Sequence, residues 1–399
     1  MVRCFFVALS LFLVMPAFAS PWEFQPVQEV TRAHGGKVFH HLESAGRKNI
    51  AVSDGVVAVV WEDNRTGQPQ TYVALKPQGA GKFEHEFRLS QGDAYEPVIV
   101  GLGKGRFVAA WEENGGVWAR RLGVKGVGPA VELSRTAAQV TLGFTSKAGL
   151  YAAWAQRAGQ FNQIVVARIG SEDKLQAAPA IPVEVTPPTD EQLYPSLAVN
   201  TDGSVSIAWE DRRRGHTLIM HSHAPDGKHF AVPVILNETV AGNTLGLGRG
   251  SGVMRVALAS FGKGRVAAVW ADKRDFLSGY DVYGGFSPDG GAHFGANQKV
   301  QDSFGDATPQ WHPALAGNGA GLVAVAWDDD RDGTADIWLS WPTDGGWGGD
   351  LAVPGASGTG VQTDPALTLD EAGNLHVVWV EKAELNGPSR LRYVFGRLR

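Results

Sequence analysis

Cysteine is almost absent from this chain of 399 residues. The single cysteine, Cys4, lies in the apolar segment at the N-terminus, and residues 20–399 contain none. That absence excludes disulfides, thiolate metal sites and a cysteine nucleophile from the rest of the chain. Stability must therefore come from the burial of apolar side chains, which a chain of this length can supply.

Long apolar runs are also missing beyond the N-terminus. No later segment approaches the roughly 18 apolar residues of a membrane-spanning helix. Residues 1–19 have the pattern of a secretory signal, with Arg3, an apolar stretch and the small-x-small sequence Ala17-Phe18-Ala19. The signal pattern predicts an exported protein, secreted or periplasmic, and the lack of a later long apolar run predicts no membrane span. Residues 20–399 are predicted to form one domain.

Excess positive charge is lacking as well. The formal net charge is −5 and there is no basic stripe, which argues against nucleic acid as a partner. The sequence contains no Gly-x-Ser-x-Gly, phosphate loop or dinucleotide fingerprint, and no helical pattern of ten residues or more. The lack of helical patterns indicates an all-β protein. Because none of these motifs is present, its ligand must be inferred from other residues.

Glycine and tryptophan are abundant, and the tryptophans repeat. Gly accounts for 51 residues, clustered in turns between short apolar runs. Seven tryptophans each close a strand-like run, at intervals of 43 to 61 residues, a period typical of a β-propeller in which each repeat is one small sheet. They are Trp61, Trp111, Trp154, Trp209, Trp270, Trp327 and Trp379.

Each repeat has the pattern of a four-stranded blade. The repeats at 98–135 and 136–190 are the least regular, so seven blades are predicted and six remain an alternative. The last repeat supplies only three strands before Arg399. The extended segment at residues 23–31 is therefore predicted to close the last blade, which removes an exposed sheet edge.

One turn carries a motif known from a large propeller group. Residues 287–294, Ser-Pro-Asp-Gly-Gly-Ala-His-Phe, resemble the Asp-box (BNR repeat) of the sialidase-like propeller superfamily, with His and Phe in place of the usual Thr and Trp. Degenerate copies begin at Ala224 and Thr343. In that superfamily the boxes lie on the face away from the active site, so the resemblance bears on the fold rather than on catalysis.

The resemblance also implies what a sialidase site would contain. The family uses three arginines, a tyrosine nucleophile assisted by glutamate, and an aspartate acid/base. Its early Phe-Arg-Ile-Pro motif has no match, because Phe87-Arg88-Leu89-Ser90 lacks the proline and follows the first repeat. The first hypothesis is therefore a non-hydrolytic ligand-binding or scaffold module, whose partner is a carbohydrate, another small anionic ligand or a protein. The alternative is an exo-glycosidase of the sialidase type acting on an acidic sugar.

Aligning the repeats on their tryptophans defines a ring of seven residues just before the innermost strands. Propeller ligands usually bind at this rim, and arginines with a histidine suit an anion and proton transfer. The binding hypothesis assigns ligand contacts to Arg47, Tyr194, Arg255 and His312, with Gln139 beside them. In the glycosidase alternative Tyr194 is the nucleophile, Glu96 its base, Asp364 the acid, and Arg47 with Arg255 the carboxylate clamp. A third interpretation is that the rim is polar only because water fills the channel.

The turns after the tryptophans have a structural and a metal-binding interpretation. The Trp-x-Asp-x-Arg turns recur, and recurrence favours a structural role in which the aspartate caps the turn and the arginine stacks on an aromatic ring. One copy is richer in acid and resembles the calcium loops of other propellers, so Ca²⁺ is a candidate ligand there. Its proposed ligands are Asp328, Asp330, Asp332 and Asp336, and the alternative is a solvated turn.

Overall fold

The structure is a computed structural model that describes residues 20–32, 35–170, 175–238, 252–274, 279–344 and 346–399. The predicted signal peptide and Cys4 lie outside these ranges. The described residues form β-strands and two single 3-10 turns, Ala45–Arg47 and Gly305–Ala307. Within them no helix is long and apolar enough to cross a membrane.

Seven antiparallel sheets form a closed ring. The innermost strand of each blade contacts the innermost strand of the next, and the seventh contacts the first. The structure thus confirms the predicted all-β propeller and gives seven blades rather than six. Blades 1 to 3 consist of His40–His41, Ile50–Ser53, Val56–Asp63, Gln70–Lys76 and His85–Arg88; Ala94–Gly103, Arg106–Glu113, Gly116–Gly123, Gly126–Val127 and Val131–Ser134; and Ala137–Thr145, Gly149–Ala158, Phe161–Ile169 and Ile181–Pro182.

The remaining blades follow the same inside-to-outside order, and blade 6 carries an extra small hairpin, Pro342–Thr343 with Gly346–Trp347. Blades 4 to 7 consist of Gln192–Val199, Val205–Asp211, Leu218–Ala224 and Val234–Ile235; Val253–Phe261, Arg265–Asp272, Asp281–Ser287 and Gln298–Lys299; Trp311–Gly317, Val323–Asp329, Asp336–Ser340 and Leu351–Ala352; and Val361–Leu369, Leu375–Lys382 and Ser389–Leu398.

The N-terminal segment completes blade 7, as predicted. Trp22–Phe24 and Gln28–Glu29 both pair with the last strand of the chain, and Trp22 lies opposite Leu398. The indole of Trp22 is buried and its Nε1 donates to the carbonyl oxygen of Gly373 at 2.9 Å. The ring is therefore closed by strands from the two ends of the chain.

The repeated tryptophans form the core between blades. Each is at most 1% exposed, and each packs in a cluster shared by its own blade and the preceding one, as Trp270 does between blades 4 and 5. The buried carboxylate of Asp272 accepts hydrogen bonds from Trp270 Nε1 (2.9 Å) and from the backbone N and Nη2 of Arg274 (2.8 and 2.6 Å). The Arg274 guanidinium also lies 3.9 Å from the ring centroid of Tyr283. These contacts show the structural role of the Trp-x-Asp-x-Arg turn.

The Asp-box turn lies on the face opposite the predicted ring. It joins the third and fourth strands of blade 5, whereas the ring residues stand at the other end of the sheets. Asp289 Oδ1 accepts from the backbone N of His293 at 2.9 Å, and Phe294 packs edge-on against His221 at 4.9 Å. The motif here fastens a turn and supplies no group to the ring.

Candidate functional site at the closed end of the channel

The seven predicted ring residues share one backbone feature. In blades 2 to 7 the register between the first two strands shifts at these positions, which marks a β-bulge. All seven have φ between 47° and 58°, a left-handed conformation that is uncommon outside glycine and is often found at functional sites. The ring consists of Arg47, Glu96, Gln139, Tyr194, Arg255, His312 and Asp364.

Carboxylates directly after the repeated tryptophans hold these bulges. Glu112 accepts from the backbone N of Gln139, and Glu210 from that of Arg255 at 2.8 Å. Where blade 3 has alanine after its tryptophan, the side chain of Gln139 accepts from the backbone N of Tyr194 instead, at 2.8 Å. The sequence interpretation missed this role, although Trp-Glu or Trp-Asp occurs in four of the seven repeats: Trp61-Glu62, Trp111-Glu112, Trp209-Glu210 and Trp327-Asp328.

In blade 1 the bulge is enlarged into a loop over residues 42–48 that closes the channel. Its Ala45–Arg47 turn contacts the inner strands of blades 2 to 6. Gly46 has φ 71°, and a Cβ there would lie 2.7 Å from Ser196 Oγ, so only glycine fits. Lys48 Nζ donates to the carbonyl oxygens of Leu142 (2.7 Å) and Leu197. We call residues 42–48 the plug.

Below the plug lies a cavity of about 1020 Å³ that extends along the inner strands to the turns of the opposite face. Burial lowers the pKa of Lys48, at the closed end of this cavity, to about 7. The plug thus lies between the cavity and the ring face, and Arg47 of the plug borders the cavity as well as the ring.

Two arginines of the ring retain unused hydrogen-bond donors. Arg47 is 4% exposed and its Nη2 lies 3.6 Å from Asp364 Oδ1, yet among the described residues neither Nη1 nor Nη2 has a hydrogen-bond partner. The Arg255 guanidinium lies 3.7 Å from the ring centroid of Tyr194 and pairs with Glu43 of the plug. Its buried Nη1 has no hydrogen-bond partner in the part of the chain that the structure describes. Burial lowers the pKa of Arg47, and the nearby Arg255 adds to that effect. An incoming anion would satisfy the free donors and offset the repulsion between the two guanidinium groups.

His312 is held between two carboxylates. Its Nδ1 lies 2.7 Å from Asp328 Oδ1 and its Nε2 lies 3.6 Å from Asp364 Oδ1. Burial alone would lower the pKa of His312, but these two carboxylates outweigh it and the pKa is raised. Burial raises the pKa of Asp328, whereas at Asp364 burial is outweighed by His312 and Arg47 and the pKa is lowered. The imidazole is therefore oriented by Asp328, and the two carboxylates stabilise its protonated form relative to that of a free histidine.

Two half-buried glutamates, Glu62 and Glu96, lie on the other side of the ring. Burial, reinforced by the neighbouring carboxylate of Glu112, raises the pKa of Glu96 to about 8, and burial raises that of Glu62 to about 7. Glu96 Oε2 is buried and has no hydrogen-bond partner within the described ranges. At neutral pH Glu96 carries a proton and suits a proton donor rather than the base of the glycosidase alternative.

The acid role of Asp364 and the nucleophile role of Tyr194 in the glycosidase alternative are also disfavoured by their pKa shifts. Asp364, with its lowered pKa, is an ionised carboxylate rather than an acid. Burial raises the pKa of Tyr194, which opposes a nucleophilic phenolate, and Arg255 covers one face of its ring. The pKa directions of Glu96 and Asp364 are thus opposite to those that the base and acid roles of the glycosidase alternative would need.

The four aspartates of the calcium prediction are not gathered around one point. Asp328 faces the ring, where its Oδ1 also accepts from the backbone N of Asp364 at 3.0 Å. Asp336 pairs with Asp329 across the strands and accepts from the backbone N of Gly358 at 2.9 Å. In the described parts of the chain no group of three or more His, Cys, Asp or Glu side chains is arranged to hold a metal ion. Calcium binding by Asp328, Asp330, Asp332 and Asp336 stays a prediction.

Known proteins resemble this chain in fold. No family model and no curated protein matches the sequence. Among solved structures, an ulvan lyase bound to -[GlcA(1-4)Rha3S]- is 9% identical with a TM-score of 0.63, covering 91% of this chain and 94% of the other. A protein of unknown function from Dyadobacter fermentans is 12% identical with a TM-score of 0.56, covering 95% and 100%. The propeller domain of the trilobed protease from Pyrococcus furiosus is 11% identical with a TM-score of 0.50, covering 88% and 94%. These likenesses support the propeller fold and leave the Asp-box resemblance without a matching family.

Proposed function

We propose that this protein is an exported propeller that binds an acidic saccharide on its ring face, through a sugar carboxylate held by Arg47 and Arg255. The observation that carries the proposal is the set of buried guanidinium nitrogens without hydrogen-bond partners beside the ring. Buried polar groups are normally satisfied, so an unsatisfied cationic donor at a channel mouth is best explained by a ligand. Charge-assisted hydrogen bonds from arginine match the geometry of a carboxylate.

The saccharide part of the proposal has a separate support. The described ring groups combine a few convergent charges with aromatic and hydroxyl-bearing side chains, the mixture that suits a polar ligand with apolar faces. The ulvan lyase with a similar fold is bound to a glucuronate-containing saccharide, and glucuronate carries the required carboxylate. Export rests on the predicted signal at residues 1–19.

Calorimetric titration with glucuronate, galacturonate and ulvan oligosaccharides tests the proposal. Arg255→Met should weaken binding about tenfold or more, because a hydrogen bond to a charged group contributes about 1.5–3 kcal/mol. Arg265→Met is the matched control, since Arg265 lies on the opposite face and also stacks on an aromatic ring, 4.3 Å from the centroid of Phe261. Equal affinity for the wild type and the Arg255 variant would refute the carboxylate site.

A second candidate function is cleavage of the bound saccharide. It is favoured by the 2.7 Å contact between His312 and Asp328 and by the protonated Glu96, because an oriented imidazole and a neutral carboxylic acid are suited to proton transfer. Turnover would be followed both by new reducing ends and by the ultraviolet absorbance of an unsaturated product, which separates hydrolysis from elimination. Glu96→Gln should abolish turnover and keep ligand affinity. Absence of turnover on every acidic saccharide would leave the binding function alone.

A further inference from the structure

We propose that the ring face carries a sugar-stacking subsite built from Trp311 and Tyr280, so that the ligand is an extended acidic oligosaccharide rather than a single terminal sugar. The inference rests on the proposed function and names its ligand class. It concerns residues that lie beside the ring and that neither the carboxylate site nor the proton-transfer groups use.

The exposure of Trp311 is the first observation. All thirteen tryptophans lie in the described residues, and Trp311 is the one that is exposed, at 39%. The other twelve are buried or half-buried in the blades. A large apolar ring kept in water beside a polar ligand site is a typical recognition surface, because aromatic side chains supply much contact area at low cost in conformational entropy.

Trp311 is also held in a fixed orientation. It pairs with Asp328 in the strand register, and its ring centroid lies 5.1 Å from that of Tyr280 at an interplanar angle of 53°. Tyr280 is anchored in turn, since its carbonyl oxygen accepts from the backbone N of Gln310 at 2.7 Å. The two rings thus form a preorganised surface rather than two independent side chains.

Trp311 of this aromatic pair is linked to the carboxylate site through His312 and Asp364. Trp311 directly precedes His312, and both His312 Nε2 and Arg47 Nη2 lie 3.6 Å from the same oxygen, Asp364 Oδ1. A sugar whose carboxylate meets Arg47 therefore has His312 beside it, and Trp311 is the residue that precedes His312 in the same strand. The next sugar of a chain would place its apolar C–H face on that indole.

Other exposed apolar side chains follow the same face. Among the described residues, the large apolar side chains that are exposed stand mostly in the loops of the ring end, and Tyr95, at 41% exposure, directly precedes Glu96 on the far side of the ring. Tyr95 therefore offers a second exposed aromatic ring on the ring face, in addition to Trp311.

The test compares ligand lengths. Binding of glucuronic and galacturonic acid, and of the tetrasaccharides from ulvan, polygalacturonate and hyaluronan, would be measured by calorimetry and by quenching of tryptophan fluorescence. For the polymer that binds, we expect the tetrasaccharide to bind at least tenfold more tightly than the monosaccharide. Trp311→Ala should remove that gain and leave monosaccharide affinity unchanged, and Trp311→Phe should restore part of it. The matched control is Phe304→Ala, which deletes another exposed ring from the same connection between blades.

The outcomes separate the two proposals. A tetrasaccharide that binds no better than the monosaccharide, or a gain that survives Trp311→Ala, would overturn the stacking subsite and leave the carboxylate site intact. An equal loss from Phe304→Ala would also overturn it, because the effect would then be general to apolar surface. Failure of every monosaccharide and tetrasaccharide to bind would overturn the proposed function itself.

Discussion

Lys48 places an amine at the closed end of the channel, and its burial makes the stability of the protein depend on pH. The pKa falls from 10.5 to about 7 on folding. Between these values the folded lysine is neutral while the unfolded lysine still holds a proton, so the free energy of unfolding rises with pH across the window. Below pH 7 both forms are protonated and the full cost of burying the ammonium group remains.

The substitution Lys48→Met removes this contribution. Each pH unit inside the window is worth about 1.36 kcal/mol, so the two units from pH 7 to pH 9 amount to roughly 2.7 kcal/mol. With an unfolding entropy of about 2.1 cal/mol/K per residue, a chain of this length changes its melting temperature by about 1 °C for each 0.8 kcal/mol. The melting temperature of the wild type relative to the variant should therefore rise by about 3 °C from pH 6 to pH 9.

Differential scanning calorimetry of both proteins at several pH values measures this difference. The half-buried glutamates Glu62 and Glu96 titrate in the same range, but they are common to both proteins and cancel in the comparison. Lys125→Met, at an exposed turn, is the control and should follow the wild type at every pH. A constant difference between wild type and Lys48→Met from pH 6 to pH 9 would show that the amine is not buried as described.

Two further outcomes are expected. Asp272→Ala should lower the melting temperature by about 4–6 °C, since breaking a buried ion pair costs about 3–5 kcal/mol, whereas Asp226→Ala in an exposed turn should not change it measurably. The calcium hypothesis predicts that EGTA lowers the melting temperature by a few degrees and that Asp330→Ala removes the shift. Equal melting curves with calcium and with EGTA would show instead that these aspartates form only a solvated turn, in which Asp328 is engaged by His312.

The fold was accessible from the sequence because the interactions that determine it are local and are repeated in every blade. Each blade needs one large residue at the junction with its neighbour, and tryptophan at that place is visible in a single sequence. The ring positions could be predicted for the same reason, because the strand register fixes their distance along the chain from the tryptophan. The N-terminal closure followed from counting strands and from the cost of an open edge.

What the sequence could not supply depends on contacts between distant residues. The plug forms because residues 42–48 replace a bulge that is much shorter in the other blades. Nothing in the sequence of residues 42–48 indicates that they cross the channel. The pKa values of Glu96 and Asp364 reflect burial and opposite neighbours, so two carboxylates in equivalent positions acquire opposite protonation. Asp328 is part of the sequence pattern that resembles a calcium loop, yet its side chain points to the ring.

The closure of blade 7 also affects the order in which the molecule can form. Within each of the first six blades the strands are close in sequence and can pair as soon as they are available, because short loops cost little entropy to close. The pairing of Trp22 with Leu398 joins residues from opposite ends of the chain and cannot precede the arrival of the last strand. Until then the final sheet has an unpaired edge and the core around Trp22 is open. The pairing that closes the ring therefore needs the last strand, and a chain that loses Ser389–Leu398 would lose the closed ring as well as that strand.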